Sequence, residues 1–380
     1  MKVIIITSFF PYPAYFGGAF DVLERIKGIK SLGHDIDLIC TCKESPLKEN
    51  VEYIKQFVNE IIIVPRKNKI SNLLLKKPLQ VVSRKSLKSI PLNSIYDFAI
   101  LESESVGMIL ENESFKANQI IVRVHNNESN YFYQLAKSSK KYTDKAYYYF
   151  EAFKFKLYSE TIFKRADKLW FISNKEINAN PILKSKSIHL PTAINDGYVE
   201  QKLSNKNVLF IGALFMPNNL EAIIWYLKNV HFLLNNEKNY KLIVAGSTGD
   251  FESKRYLDIF KNYSNIEVRL NQEDLADCYS ESTIFINPML HGAGVKLKSI
   301  NAIRNGLLLI SSDVGAEGTG LIENEMYLKA NSPQDFLNAI LKVFDMKIEE
   351  KQAMVKSAQE FLNTNNYLSI LKKELKNEKE

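Results

Sequence analysis

Short apolar runs recur along the chain, each closed by turn formers and followed by apolar residues spaced three and four apart. The first series of runs covers residues 3–7, 36–40, 61–64, 98–101, 119–124 and 168–172. After the first run, a loop with Pro11, Pro13, Gly17 and Gly18 leads into Phe20, Val22, Leu23, Ile26 and Ile29 at helical spacing, and Gly33 closes the helix. Strand and helix alternating in this way predict a doubly wound α/β domain whose ligands sit at the carboxyl ends of its strands. A second series follows at residues 207–211, 241–245, 266–270, 284–287 and 307–311. Its helices are expected from Asn218 through Trp225 and Leu227, over 273–279, and beyond Ser332. Between the series, residues 190–197 turn to turn formers and 199–206 are polar. The pattern therefore divides the chain into domains 1–195 and 196–365, with a charged helix over 366–380.

Residues 284–318 carry the densest chemistry. Here a strand, a glycine loop (His291, Gly292, Ala293, Gly294), a helical pattern through Val295, Leu297, Ile300 and Ile303, and a second strand follow in order, with Gly306 between helix and strand. Gly292 and Gly294 let backbone approach a ligand closely, the helix start offers N–H groups, and Lys296 and Lys298 add two positive charges. A nucleotide diphosphate suits such a site. A tight strand-to-helix turn with two solvated lysines fits the same residues, so context must decide.

Composition narrows the classes. The chain has 380 residues, 46% hydrophobic and 24% charged, as in a soluble globular protein. Cys40, Cys42 and Cys278 make no disulfide framework or metal set and read as buried thiols in a reducing compartment. The amino terminus reads as a first strand rather than a leader, because Pro11 and Pro13 break its short apolar run. No stretch is long and apolar enough to span a membrane, so a cytoplasmic location is expected. The net charge of +7 is uneven: residues 1–200 hold 29 basic and 21 acidic side chains. No acid occurs from residue 61 to 96, where Arg66, Lys67, Lys69, Lys76, Lys77, Arg84, Lys85 and Lys88 interleave with aliphatic residues. This segment suits an anionic membrane surface, peripheral on its inner face, and equally suits solvated helices. No nucleic-acid reading module is present.

Other candidates lie at strand ends. Glu102 and Glu104 follow one strand; Arg123, His125 and Glu128 follow another, and both positions face the expected crevice. Taken alone, Glu102 and Glu104 read as a solvated helix start and His125 as a loop histidine. Residues 131–168 form a long helical stretch rich in tyrosine, phenylalanine and lysine. It suits core packing, and also a membrane interface or lipid tail.

In their order, these features resemble family 4 of the GT-B nucleotide-sugar glycosyltransferases, which have two Rossmann-like doubly wound domains facing across a cleft. The central match is Gly292, Gly294, Lys296, Lys298, Asn301, Ala302 and Gly306, followed by Gly315 to Gly318. Pro11, Pro13, Gly17 and Gly18, the His125–Asn126 loop with Glu128, Arg165 to Asp167 before a strand, and Gly212 with Pro217 and Asn218 fall in matching order. The resemblance implies a nucleotide-sugar donor on the second domain, at Gly212, Asn218, Gly292, Ala293, Gly294, Val295 and Asn301, with Gly17 and Gly18 against donor phosphates or acceptor. It implies catalytic roles for His125, Lys296 and Lys298, and an acceptor domain where Glu102 and Glu128 contact the saccharide. The lysines would offset charge on the departing diphosphate. No cofactor is implied, since the nucleotide sugar is a substrate, and no Asp-x-Asp pair is of the kind that would hold a metal. The family often carries two glutamates eight positions apart; Ala293 and Asn301 stand there.

The expected function is therefore transfer of a sugar, with retention, to a saccharide acceptor, lipid-linked and destined for a surface polysaccharide. Closure of the cleft about a hinge at 192–197 is expected with it. A non-catalytic GT-B partner that binds nucleotide or glycan, and a nucleotide-sugar epimerase, stand as alternatives.

Overall fold

The computed structural model describes residues 1–376 except 15–16, 68–71, 73–74, 140, 173, 179–180, 193–197, 250, 273, 293–294 and 364–366. The chain divides into two compact units, Met1–Asn195 with Asn366–Glu380, and Asp196–Asn365. Most of the expected hinge lies outside the described residues.

The first unit is built on seven parallel strands: β1 Lys2–Thr7, β2 Asp35–Cys42, β3 Glu60–Pro65, β4 Ile95–Glu102, β5 Lys116–Val124, β6 Lys168–Phe171 and β7 Ser187–His189, in the order β3-β2-β1-β4-β5-β6-β7. Its central strands are continuously apolar because both faces are covered. Ile4, Ile6, Ala99 and Leu101 enter one core layer, and Val3, Ile5, Phe98 and Ile100 the other. Strand order reverses between β1 and β4, which opens a crevice at their carboxyl ends, where Thr7 and Glu102 are register partners. Helix Gly17–Ser31 starts at that edge and buries Val22, Leu23, Ile26 and Ile29. The last helix, Tyr367–Glu374, joins the same layer through Tyr367 and Leu371 and lies against Gly28.

The second unit repeats the plan with β8 Lys206–Ile211, β9 Tyr240–Gly246, β10 Ile266–Leu270, β11 Ile284–Asn287, β12 Leu308–Ser311 and β13 Leu328–Lys329, in the order β10-β9-β8-β11-β12-β13. Its reversal falls between β8 and β11, so the loops after Ile211 and Asn287 share one edge.

Three expectations change. The aromatic stretch is two helices, Glu128–Ser138 and Tyr142–Arg165, rather than one. Strands β7 and β13 are three and two residues long, too short to leave an apolar run. The helix after the central glycine loop begins at Leu297, leaving Val295 and Lys296 ahead of it. All three cysteines are buried and free. Among the described residues no helix is long and apolar enough to cross a membrane.

Candidate functional site

In the second unit, the edge at the strand reversal is lined by the two lysines and by Asn218 and Asn219 at the start of helix Pro217–Asn229. Ala293 and Gly294 lie outside the described residues, but Gly292 is placed, with φ +147°. A side chain begun at Gly292 would meet Asn218 Nδ2 and Lys296 Nζ, each at 3.7 Å. Asn218 belongs to helix Pro217–Asn229, which follows Gly212 and its backbone bond to Ala245. Lys298 Nζ donates to Asn219 Oδ1 at 2.9 Å and stands 4.9 Å from the centre of the Phe210 ring.

Positive charge gathers here. Lys296 is buried, with Glu317 Oε2 at 3.7 Å from its ammonium. Half-buried Lys298 is brought down to about 7 by desolvation and by the Lys296 ammonium. Two neighbouring lysines at the strand-reversal edge, Lys296 beside Gly292, form a candidate site for an anion. Asn301 is half-buried one turn beyond Lys298, on the same helix.

A buried polar lattice, which sequence reasoning missed, fixes this loop. Asn287 Nδ2 donates to Ser299 Oγ and to Gly315 O, both at 2.8 Å, and Ser299 Oγ donates to Gly315 O at 2.7 Å. Ser312 Oγ donates to Met289 O and accepts from Gly315 N. Gly315 is obligatory, since a Cβ there would lie 2.2 Å from Asn287 O. Gly318, at φ +75°, lets the chain turn over Val295. The turn formers around Ser311 to Gly318 are the sequence signal that could have marked the lattice.

In the first unit, the crevice holds a buried charge cluster. Arg25 donates to Glu102 Oε1 at 2.5 Å and also to Asp21; Arg123 donates to Asp21 at 3.1 Å and to the Leu190 carbonyl. His125 Nε2 lies 2.9 Å from Glu102 Oε2, and its Nδ1 lies 3.7 Å from Asp21. A carboxylate only accepts, so Glu102 keeps the proton on Nε2. Burial alone would raise Asp21, but the Arg123 and Arg25 guanidiniums hold it well below the usual carboxylate range. Glu102 is lowered in the same way, by Arg25 and His125 against burial. Tyr367 OH accepts from Arg25 at 3.4 Å and ties the last helix to the cluster.

Two sequence expectations are corrected here. Glu102 and Glu104 are not a solvated helix start: both are buried, and Glu104 accepts from Ser159 Oγ at 2.8 Å. Nor can Glu102 contact a saccharide, because its carboxylate has no exposure and both oxygens serve Arg25 and His125. It positions His125, whose side chain retains 17% exposure. Asp21, Arg25 and Arg123 were not anticipated as its partners. Glu128 is half-buried at the start of its helix and is raised to about 8 by burial and by Glu104, against the pull of Arg84. Arg84, expected on a membrane-facing or solvated surface, is instead buried and donates to Thr41 Oγ1 and to the Ser8 carbonyl. Gly17 and Gly18 form the first turn of helix Gly17–Ser31 at the same edge.

Asp21, Glu102 and His125 each bring one potential metal ligand within 4.8 Å of the others. The guanidiniums of Arg25 and Arg123 already supply the positive charge these carboxylates need, so the set does not call for a cation. Asp35 and Asp37, an Asp-x-Asp pair, lie at the amino end of β2, away from the ligand edge, and Asp37 is held by Lys2 and the Tyr96 hydroxyl.

Comparison with solved structures defines the class first. A mutant of S. aureus TarM, in complex with fondaparinux, alpha-GlcNAc-glycerol and UDP, superposes with a TM-score of 0.68 at 11% identity, covering 98% of this chain and 99% of that one. Anabaena HepE, in complex with UDP and glucose, gives 0.67 at 8% identity over 99% and 98%. WaaG, a glycosyltransferase involved in lipopolysaccharide biosynthesis, gives 0.63 at 13% over 98% of each. The fold is therefore the GT-B fold. Residues 205–346 match the family model for glycosyl transferases group 1. A Klebsiella pneumoniae protein described as an uncharacterized 44.6 kDa protein in the cps region is 36% identical over 377 residues, 96% of each chain. The chain belongs to the group 1 glycosyltransferases.

Proposed function

We propose that the second unit holds a nucleotide-sugar donor and the first unit a saccharide acceptor, lipid-linked, and that the chain elongates a surface polysaccharide with retention of configuration. The observation that carries this reading is the pair Lys296 and Lys298 at the strand-reversal edge, with Lys296 beside Gly292 and Lys298 lowered by desolvation and by the Lys296 ammonium. UDP is the favoured nucleotide, since two of the similar structures were solved with it. A relative from a cps region supports the polysaccharide setting.

The chemistry follows from the charges. The bond between the anomeric carbon and the diphosphate oxygen breaks with its electron pair going to oxygen, and the two ammoniums stabilise that gain of negative charge. The acceptor hydroxyl oxygen bonds the same face of the anomeric carbon, and its proton passes to the departing phosphate oxygen. His125, oriented by Glu102 through Nε2, offers its 17% exposed ring to the donor sugar. Glu128 contacts the acceptor and carries its proton up to about 8. Metal is not needed where two fixed ammoniums face the phosphates.

The protein also rests on the inner face of the membrane. Lys76, Lys77, Lys85 and Lys88 line a cavity of about 600 Å³ together with Leu75, Val82 and Met108, which mixes cationic and apolar side chains. Glu111 neutralises Lys77 and Lys88. Incubation of purified protein with UDP-, GDP- and ADP-sugars and saccharide acceptors tests the transferase reading. It should release one nucleoside diphosphate in an acceptor-dependent way; release of none from any pair counts against it.

A further inference from the structure

Lys298 is held from across the strand reversal. It sits on the helix that follows β11, yet the acceptor of its ammonium, Asn219 Oδ1 at 2.9 Å, belongs to the helix that follows β8. Among the described residues it donates to no other oxygen, and it stands 4.9 Å from the centre of the Phe210 ring. An ammonium has three N–H donors and no acceptor, so two donors remain for a ligand.

Half-buried Asn219 is itself fixed. Its Nδ2 donates to Ala213 O at 3.1 Å, and its backbone N–H donates to Asn218 Oδ1 and to Met216 O. A carbonyl only accepts and an ammonium only donates, so these two neighbours admit one orientation of the amide, with its oxygen toward Lys298. The loop behind it is tied to the end of β9, where Gly212 N donates to Ala245 O at 3.1 Å and Leu214 N to Ser247 O at 2.8 Å. A Cβ at Gly246 would lie 1.9 Å from Gly212 O, and one at Gly212 would lie 3.1 Å from Asn219 Cγ. Strand end, loop and amide therefore stack without room for a side chain, and one line of support runs from β9 through Ala213 and Asn219 to Lys298.

Neutrality of the amide matters as much as its place. A carboxylate at this position would pair with Lys298 and cancel its charge, whereas an amide oxygen bonds the ammonium and leaves the charge for a ligand. The charge that bears on Lys298 is that of Lys296, which has Glu317 Oε2 at 3.7 Å. We propose that Asn219 is a positioning residue for the transfer: it holds the Lys298 ammonium across the strand reversal, uncancelled, for the departing diphosphate. The assignment rests on the transferase reading above and adds to it a residue that acts through Lys298 rather than on the reacting atoms.

Two variants of similar side-chain size should move Lys298 in opposite directions. Asn219→Asp places a carboxylate beside the ammonium and should raise its titration midpoint above the wild-type value of about 7; Asn219→Leu removes the acceptor and should lower it. NMR of the lysine Cε groups follows the titration in the full, nucleotide-free chain, with Lys298→Met identifying the resonance. Acceptor-dependent turnover should fall about tenfold or more in Asn219→Leu, the loss expected for one hydrogen bond to a charged group. A midpoint that stays in place in both variants, or moves the same way in both, would overturn the proposal, and so would wild-type turnover in Asn219→Leu. A UDP titration of the wild type separates the two readings. A chain that binds UDP while its midpoints do not move keeps the donor site and loses the role of Asn219; a chain that binds no UDP loses the transferase reading and that role with it.

Discussion

The two crevices handle buried charge in opposite ways. In the first unit Asp21 and Glu102 are matched by Arg25 and Arg123, so the cluster is neutral before any ligand arrives and its role is to hold His125 in one orientation. In the second, Lys296 stands near Glu317, and Lys298 beside it is lowered by desolvation and by repulsion from the Lys296 ammonium. A neutral cluster is a fixture of the fold; a charged one is completed by its ligand. Under the proposed function, the first governs stability and geometry, and the second governs binding and the chemical step.

Breaking the neutral cluster should produce the largest change in stability. Arg25→Met leaves two buried carboxylates with one guanidinium and should lower the unfolding free energy by about 3–5 kcal/mol, measured by urea denaturation. A loss under about 1 kcal/mol would mean the cluster is solvated rather than buried. The same experiment on Lys298→Met should show little loss, because that ammonium is already disfavoured by its surroundings, while acceptor-dependent turnover should fall about 10²–10³-fold. If Lys298→Met instead unfolds the chain with its activity per folded molecule intact, the comparison fails.

Smaller effects sharpen the division. Glu102→Gln preserves shape but lets the amide present either end to His125; turnover should drop about tenfold, with KM for the donor sugar nucleotide little changed. A drop in binding alone would place Glu102 in contact with substrate, against its burial. Tyr367→Phe removes one donor–acceptor contact to Arg25 and should cost about 0.5–1.5 kcal/mol of stability without altering turnover.

Much of this was legible in the sequence. Apolar runs such as those ending at Thr7 and Asn287 show buried parallel strands because both faces of such a strand are covered, and the glycine loop with Lys296 and Lys298 shows a strand-to-helix turn suited to phosphate. The pairing of Glu102 with Arg25 and His125 was not legible. These residues are 77 and 23 positions apart, and only the register of β1, β4 and β5 brings them together. Glu102 read as solvated for the same reason: a charged residue at a strand end is buried only where a distant partner waits. Arg84, just after helix Leu79–Val82, is likewise buried by distant partners, Thr41 and the Ser8 carbonyl. Strand β13 is too short to leave a pattern, and of the Asn287–Ser299–Gly315 lattice only the turn formers around Ser311 to Gly318 were visible, not the contacts they make with Asn287 and Ser299.

The central claim is that the lysine loop is completed by a nucleoside diphosphate, and calorimetric titration of UDP at several pH values tests it most directly. Lys298 titrates near 7 in the free protein, well below the 10.5 of an unperturbed lysine, and a bound diphosphate stabilises its protonated form. UDP affinity should therefore weaken as pH rises through 7. Over the same interval, up to about 10.5, the free protein should gain stability, because there the unfolded chain binds the extra proton. Both trends should vanish in Lys298→Met, which should also bind UDP about tenfold or more weakly. Equal UDP affinity in wild type and variant, or an affinity independent of pH in both, would contradict the account.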